Sequence, residues 1–287
     1  MELSDLRKLQ LLEVNLLLKF QEICKENKLN YYFVGGGLIG ALRHGGFIPW
    51  DDDLDIVMPR NDYDRFLTIC KENTEEGYGI NSDWYYLFAN FVDLESFIEY
   101  SSEFETKKKN IWIDVFPIDG MPKCKFRSLM HTKLIFGLRY LLILSNTERL
   151  VGKKERRFYE SWILNFCNSV PLFNKLNSEK ICYMMEKHMR KYSFEVSDYG
   201  CNFLGKYRYR EIQPRKRWGT PATLLFEGIK VKVPELYHEF QTHIYGDYMK
   251  LPPESKRVAH NPILLKHRDI DFNTLEQNSI ISRKIFQ

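Results

Sequence analysis

Two spacings of apolar residues alternate along this chain, and the changes between them mark its elements. From Leu6 to Cys24 apolar positions recur at three and four behind Ser4, which predicts a long amphipathic helix with a serine N-cap. Tyr31–Val34 is a short apolar run of strand type. Gly35, Gly36 and Gly37 then let the backbone turn sharply into a helix opened by Leu38–Arg43, whose first N–H groups would face a ligand. Residues 51–57 read as extended, so that a period of two puts Asp51, Asp53 and Asp55 on one face and Asp52, Leu54 and Ile56 on the other. A helix is expected over 61–73, capped by Asn61 or Asp62, with Tyr63, Phe66, Leu67 and Cys70 inward. Residues 81–100 read as one or two strands, Lys107–Lys109 as an exposed loop and Ile111–Gly120 as a strand. The spacing from Phe126 to Lys191 is helical. Ile229, Val231 and Val233 alternate with Lys230 and Lys232 as a half-exposed strand, followed by Pro234 and a helix from about Glu235 to Tyr245. Residues 269–287 look like a polar tail with a short apolar end.

Chemistry concentrates where the glycines meet the aspartates. Asp51, Asp52, Asp53 and Asp55 crowd like charges beside Trp50 and Ile56–Val57, a setting unlike a solvated acidic turn. Carboxylates about 7 Å apart along a strand can share one or two Mg²⁺ ions, which take oxygen ligands and complete their shells with phosphate. A single carboxylate, Asp114, interrupts the run Ile111-Trp112-Ile113-Asp114-Val115-Phe116; buried without a cation or donors it would cost several kcal/mol. Asp119 is the second choice, in a turn suggested by Pro117 and Gly120. A rival reading comes from Gly35, Gly37 and Gly40, which spell G-x-G-x-x-G after a strand, with Asp55 further on as a ribose-binding acid. Against that dinucleotide fingerprint, Asp55 belongs to a block of aspartates, and the βαβ alternation does not repeat downstream. A non-catalytic phosphate-binding scaffold would be expected to have lost part of the carboxylate set, which is intact here.

A glycine turn at a helix start followed by Asp-x-Asp on the next strand resembles the nucleotidyltransferase superfamily. The run Gly36-Gly37-Leu38-Ile39-Gly40-Ala41-Leu42-Arg43-His44-Gly45-Gly46-Phe47-Ile48-Pro49-Trp50-Asp51-Asp52-Asp53-Leu54-Asp55-Ile56, continuing through Met58-Pro59-Arg60-Asn61-Asp62-Tyr63, narrows this to the LicD family of phosphocholine and polyol-phosphate transferases. Phe226-Glu227-Gly228 and the stretch from Tyr245 to Glu254, ending at Arg257 and His260, resemble that family's C-terminal motif. The resemblance implies an α/β (α+β) fold: a nucleotidyltransferase-like mixed sheet flanked by helices, with a helical insertion in mid-chain. It divides the chain into a catalytic core over 1–125, helices over 126–200 and a part completing the site over 201–287. It also implies Mg²⁺ or Mn²⁺ held by Asp51, Asp53, Asp55 and Asp114, with Asp53, Asp55 and Asp114 catalytic. Gly36, Gly37, Arg43, Arg60, Arg257 and His260 would then contact phosphate or nucleotide. The expected donor is CDP-choline, or CDP-ribitol or CDP-glycerol in related branches, and the expected acceptor is a glycan or lipid-linked glycan such as teichoic acid, capsule or lipopolysaccharide.

Composition adds little to this. A net charge of +4 and a pI near 8.6 suit an anionic substrate or a membrane surface and fall short of the basic stripe of nucleic-acid binders. Lys206–Arg210 with Arg215–Trp218 interleaves cations and aromatics that could stack a base. Six scattered cysteines without metal spacing, and a charged Met1–Leu16, point to a reduced, cytoplasmic protein. Leu134–Leu144 contains Arg139 and is far shorter than the roughly 20 residues of a bilayer crossing. It reads as a packed helix, or as a peripheral membrane contact helped by Lys153, Lys154, Arg156 and Arg157. His238 and His243, five apart, do not share a helical face as zinc-protease histidines do and are assigned to ordinary helix positions.

Overall fold

The structure, a computed structural model, describes residues 3–72, 77–81, 87–101, 106–145, 177–257 and 262–284. Helix α1 (Asp5–Glu26) starts where Ser4 accepts a hydrogen bond from the Arg7 amide at 3.2 Å, and buries Leu9, Leu12, Leu16, Leu17 and Phe20. Strand β1 (Tyr32–Val34) runs into helix α2 (Gly35–His44), which begins at Gly35 rather than Leu38 and ends on Gly45 in the left-handed conformation. Strand β2 (Asp55–Pro59) passes directly into helix α3 (Arg60–Glu72). Neither Asn61 nor Asp62 caps α3, which already includes both; the Asp62 carboxylate instead accepts from the Asn30 amide at 3.1 Å.

Strands β3 (Tyr78–Asn81), β4 (Ala89–Ser101) and β5 (Thr106–Gly120) follow. The stretch Lys107–Lys109, expected as a loop, belongs to β5: its backbone pairs with β4, and the Lys108 ammonium lies 4.2 Å from the centre of the Phe97 ring. Helices α4 (Lys125–Leu144) and α5 (Ser178–Met189) pack together through Ile135, Leu138, Leu142, Ile181 and Met185. After them come β6 (Tyr199–Cys201), β7 (Ile212–Pro214), the short α6 (Arg215–Trp218), the hairpin β8 (Ala222–Phe226) and β9 (Ile229–Val233), α7 (Tyr237–Tyr245) and β10 (Ile263–Lys266). The segment read as a polar tail carries α8 (Phe272–Lys284), whose Ser279 and Ser282 are buried.

The strand order is β1-β2-β5-β4-β10, with β1 antiparallel and β5 parallel to β2. This removes the dinucleotide reading, because a G-x-G-x-x-G unit needs parallel strands on either side of its helix. One sheet face, with Ile56, Met58, Ile111, Ile113 and Val115, packs in one core with α1. The opposite face carries the carboxylates.

Candidate active site

One row of residues crosses four strands. Val34 on β1 is in register with Asp55 on β2, Asp55 with Asp114 on β5, and Asp114 with Asn90 on β4. Register partners project to the same face, so Asp55 and Asp114 stand side by side. Burial, then the charges of Asp53 and Asp114, push the Asp55 carboxyl well above its ordinary range. Burial and Asp53 push Asp114 up to about 7, against the opposing pull of hydrogen bonds from Asn90 and Trp112.

The expectation that Asp51, Asp53 and Asp55 share one face of a strand is corrected. Only Asp55 lies in β2, while residues 51–54 form a loop whose Asp51 amide donates to the Ile48 carbonyl at 2.9 Å. The Gln10 amide of α1 donates to the Asp51 carbonyl at 2.9 Å and pins that loop. Asp51 nevertheless returns to the glycines. A Cβ on Gly36 would collide with the Asp51 carboxylate, and one on Gly35, where φ is +65°, with that of Asp55. The glycines are therefore needed for the close approach of two carboxylates to the start of α2. Val34, at the N-cap, makes no side-chain capping bond, and the first turn of the helix lies against the acidic cluster. Asp52 is buried, Asp53 exposed.

Cations flank the acidic loop. Arg43 donates to the Tyr248 carbonyl at 3.0 Å, and Arg257 lies 5.6 Å from the centre of the Trp50 ring. Burial and the nearby Arg257 charge lower the Arg43 pKa, with Asp51 opposing. Two guanidinium groups this close favour an anion between them.

The structure assigns other expected residues elsewhere. Arg60 and Asp119 are buried and joined by two hydrogen bonds of 2.8 and 2.6 Å, so that Arg60 is taken up by a structural ion pair and Asp119, in β5 rather than a turn, is not a site carboxylate. Trp218 is buried against Tyr32, Phe194 and Phe240, which removes it from any base-stacking surface. A Cβ on Gly37 would meet the Phe33 ring, so this glycine serves packing as well as the turn. His260, Lys153, Lys154, Arg156 and Arg157 lie outside the described residues. His238 meets the Tyr248 hydroxyl, and His243 is exposed.

Four residues with no local signal in the sequence join the site. Asn90 is placed by strand register alone. Glu13 on α1 is buried, and burial followed by the charges of Asp53, Asp52 and Asp51 raises its pKa strongly. Gln241 on α7 donates to the Gly35 carbonyl at 3.2 Å, and Glu211, pushed up to about 7 by burial, adds its charge to that acting on Asp55.

The donor set fits a hard divalent cation. Among the described residues no three Asp, Glu, Cys or His side chains close into a finished metal cage. Two register-paired carboxylates with further aspartates beside them suit an ion that takes one or two carboxylates and completes its shell with water and substrate phosphate.

A mixed sheet with paired carboxylates beside an uncapped glycine turn is the arrangement of a nucleotidyltransferase-type domain, and residues 28–139 match the family model described as LicD/FKTN/FKRP, nucleotidyltransferase domain. The chain carries a LicD-family domain, and that segment holds Gly35–Gly37, Asp51–Asp55 and Asp114. Over 272 residues, 91% of this chain and 97% of the other, it is 29% identical to the lipopolysaccharide cholinephosphotransferase LicD of Haemophilus influenzae. An uncharacterized protein of Rickettsia typhi is 34% identical over 98 residues, 34% of this chain and 31% of its own. One of Rickettsia prowazekii is 30% identical over 102 residues, 36% and 37% respectively.

Proposed function

We propose that this chain transfers phosphocholine from CDP-choline to a hydroxyl of a cell-surface glycan such as lipopolysaccharide. The observation that carries the reading is the Asp55–Asp114 register pair set against the uncapped Gly35–Gly37 turn. Support comes from the cholinephosphotransferase similar to it over nearly its whole length. Asp51, Asp53, Asp55 and Asp114 would hold one or two Mg²⁺ ions, with Mn²⁺ as a substitute, and the bound ion would supply charge neutralisation for the diphosphate. The α2 N–H groups at Gly36 and Gly37 hold the transferred phosphate in line, and Arg43 and Arg257 take the nucleotide phosphate. The acceptor oxygen bonds to phosphorus, CMP departs, and Asp114 either completes an ion site or, left free of metal, takes the hydroxyl proton. Transfer of ribitol or glycerol phosphate uses the same carboxylates and is the second reading.

Lipid-linked acceptors would bring the chain to a membrane. No helix among the described residues is long and apolar enough to cross one. Exposed Phe126, Leu129, Met130 and Leu134 on α4, with Lys125, Arg127 and Lys133 among them, support peripheral contact. The function is tested with CDP-choline carrying labelled methyl groups and lipopolysaccharide lacking phosphocholine. Label enters the glycan, chelator stops it, Mg²⁺ restores it, and Asp53→Asn prevents it. Label that enters without a divalent ion, or transfer from CDP-ribitol in place of CDP-choline, overturns the reading.

A further inference from the structure

The ring pair Tyr207–Tyr245 and the Glu211 carboxylate form a corner beside the carboxylate row. Glu211 ends a 3-10 turn (Arg208–Glu211) that folds it back on Tyr207, whose amide donates to the Glu211 carboxylate at 3.2 Å. The backbone passes tightly beneath, since a Cβ on Gly205 would collide with that carboxylate. Tyr207 meets Tyr245 edge to face, with centroids 4.8 Å apart and planes at 69°. Tyr245 is fixed over the phosphate turn by its own helix. It lies four residues after Gln241 on α7, hence on the same helical face, and Gln241 holds the Gly35 carbonyl. Tyr245 also packs beside the clusters that hold Val34 of β1 and Ile39 of α2, and burial raises its pKa.

The charges of Arg139 and Arg210 reach this corner, but both guanidinium groups are taken up by backbone carbonyls rather than by its carboxylate or its rings. Arg139, the cation whose charge acts on Glu211, donates instead to the carbonyls of Phe203 at 3.0 Å and Gly205 at 2.8 Å. Arg210 is held by the Ile244 carbonyl at 3.0 Å, and Arg208 lies 6.0 Å from the centre of the Tyr140 ring. Other exposed or half-buried rings near the site already face a cation, Trp112 with Lys109 and Trp50 with Arg257. Among the described residues no lysine or arginine stands over Tyr207 or Tyr245.

We propose that Tyr207, Tyr245 and Glu211 form the subsite for the quaternary ammonium head of the donor, next to the transferred phosphate. The tyrosine rings supply cation–π attraction, and Glu211, which the bound cation itself favours in the ionised form, supplies the opposite charge to a group that cannot donate hydrogen bonds. This rests on the phosphocholine reading above and locates its specificity. A polyol phosphate could hydrogen-bond here but would gain neither the cation–π attraction nor the charge pairing.

The test is calorimetric titration of the full chain with CDP-choline, CDP-glycerol and CDP in the presence of Mg²⁺, without acceptor. Wild type should bind CDP-choline about tenfold more tightly than CDP or CDP-glycerol, the scale of cation–π contacts in a partly desolvated site. Glu211→Gln, and separately Tyr207→Leu, should bring CDP-choline to parity with CDP within the same variant, while Tyr207→Phe should keep the preference. Equal weakening of CDP and CDP-choline would make the corner structural and overturn the proposal. So would an undiminished preference in both disabling variants. If Glu211→Gln binds CDP-choline normally but turns over slowly once acceptor glycan is added in a separate assay, Glu211 is an acceptor base instead and the proposal fails. Wild type that prefers CDP-glycerol, or binds no CDP compound, would overturn the phosphocholine reading itself, a result distinct from the others.

Discussion

At the residue scale the site depends on two side chains that are absent and one that is distant. Gly35 and Gly36 lack the Cβ that would strike Asp55 and Asp51, so the glycine run and the aspartate block are one feature divided by a helix. Gly36→Ala should displace Asp51 and cut turnover about a hundredfold, the scale of a misplacement near 1 Å, with the circular dichroism spectrum unchanged. Asn90 acts from the other side. Its hydrogen bond favours ionised Asp114, so Asn90→Ala should raise the Asp114 pKa further above about 7 and move the acid limb of the kcat/KM profile to higher pH. A profile that stays in place would remove Asp114 from the role of base. The glycines and aspartates were legible because they are contiguous. Asn90 was not, since only strand register brings it to Asp114. Arg60 was misread for the same reason: its partner, Asp119, is 59 residues away and invisible to local spacing.

At the element scale the periodic helices were read within a few residues, and the errors fall where tertiary contacts override pattern. Residues 51–54 alternate like a strand, yet the turn bonded to Ile48 and the pin from Gln10 hold them as a loop. Helix α8 escaped notice because its buried positions include serines, which carry no hydrophobic signal. Glu227 clamps it. This buried carboxylate accepts from Arg7 of α1 at 2.7 Å, from Arg283 of α8 at 3.0 Å and from the Phe47 amide at 2.7 Å. Glu227→Ala should therefore cost about 3 kcal/mol in urea unfolding by leaving the Arg283 guanidinium without its anion and Arg7 with Glu276 alone. Burial raises the Glu227 pKa, but the two arginines outweigh it and the net shift is downward. Its stabilising effect is present above the ordinary glutamate range and is lost as pH falls through the lowered value. On α4, His131 lies edge-on to Tyr192 and Phe203 with its Nε2 unbonded, and burial pushes it down to about 4. Between about 6.5 and 4 the unfolded chain binds the proton that the folded chain refuses, so stability falls as pH drops. His131→Phe should flatten that part of the melting-temperature profile; an unchanged slope would assign it to other groups.

At the scale of the whole molecule, the strand order decides what the motifs can do. The order β1-β2-β5-β4 puts carboxylates 59 positions apart in sequence side by side and makes β1 antiparallel to β2, which separates this chain from the dinucleotide fold its glycines spell. Composition and periodicity could not show that order, because both topologies use the same strand and helix lengths. The resemblance in the aspartate motif could, because it selected a fold with a third carboxylate on a neighbouring strand. On the proposed function, the phosphoryl group moves at the Asp55–Asp114 pair. Phosphorus NMR of CDP-choline, Mg²⁺ and acceptor glycan, followed with wild type, Asp55→Asn and Asp114→Asn, tests it most directly. Wild type should convert the diphosphate signals to CMP and a phosphodiester, and each variant should be slower by at least about a thousandfold, in line with the loss of an electrostatic or base contribution. Conversion at the wild-type rate by either variant would contradict it.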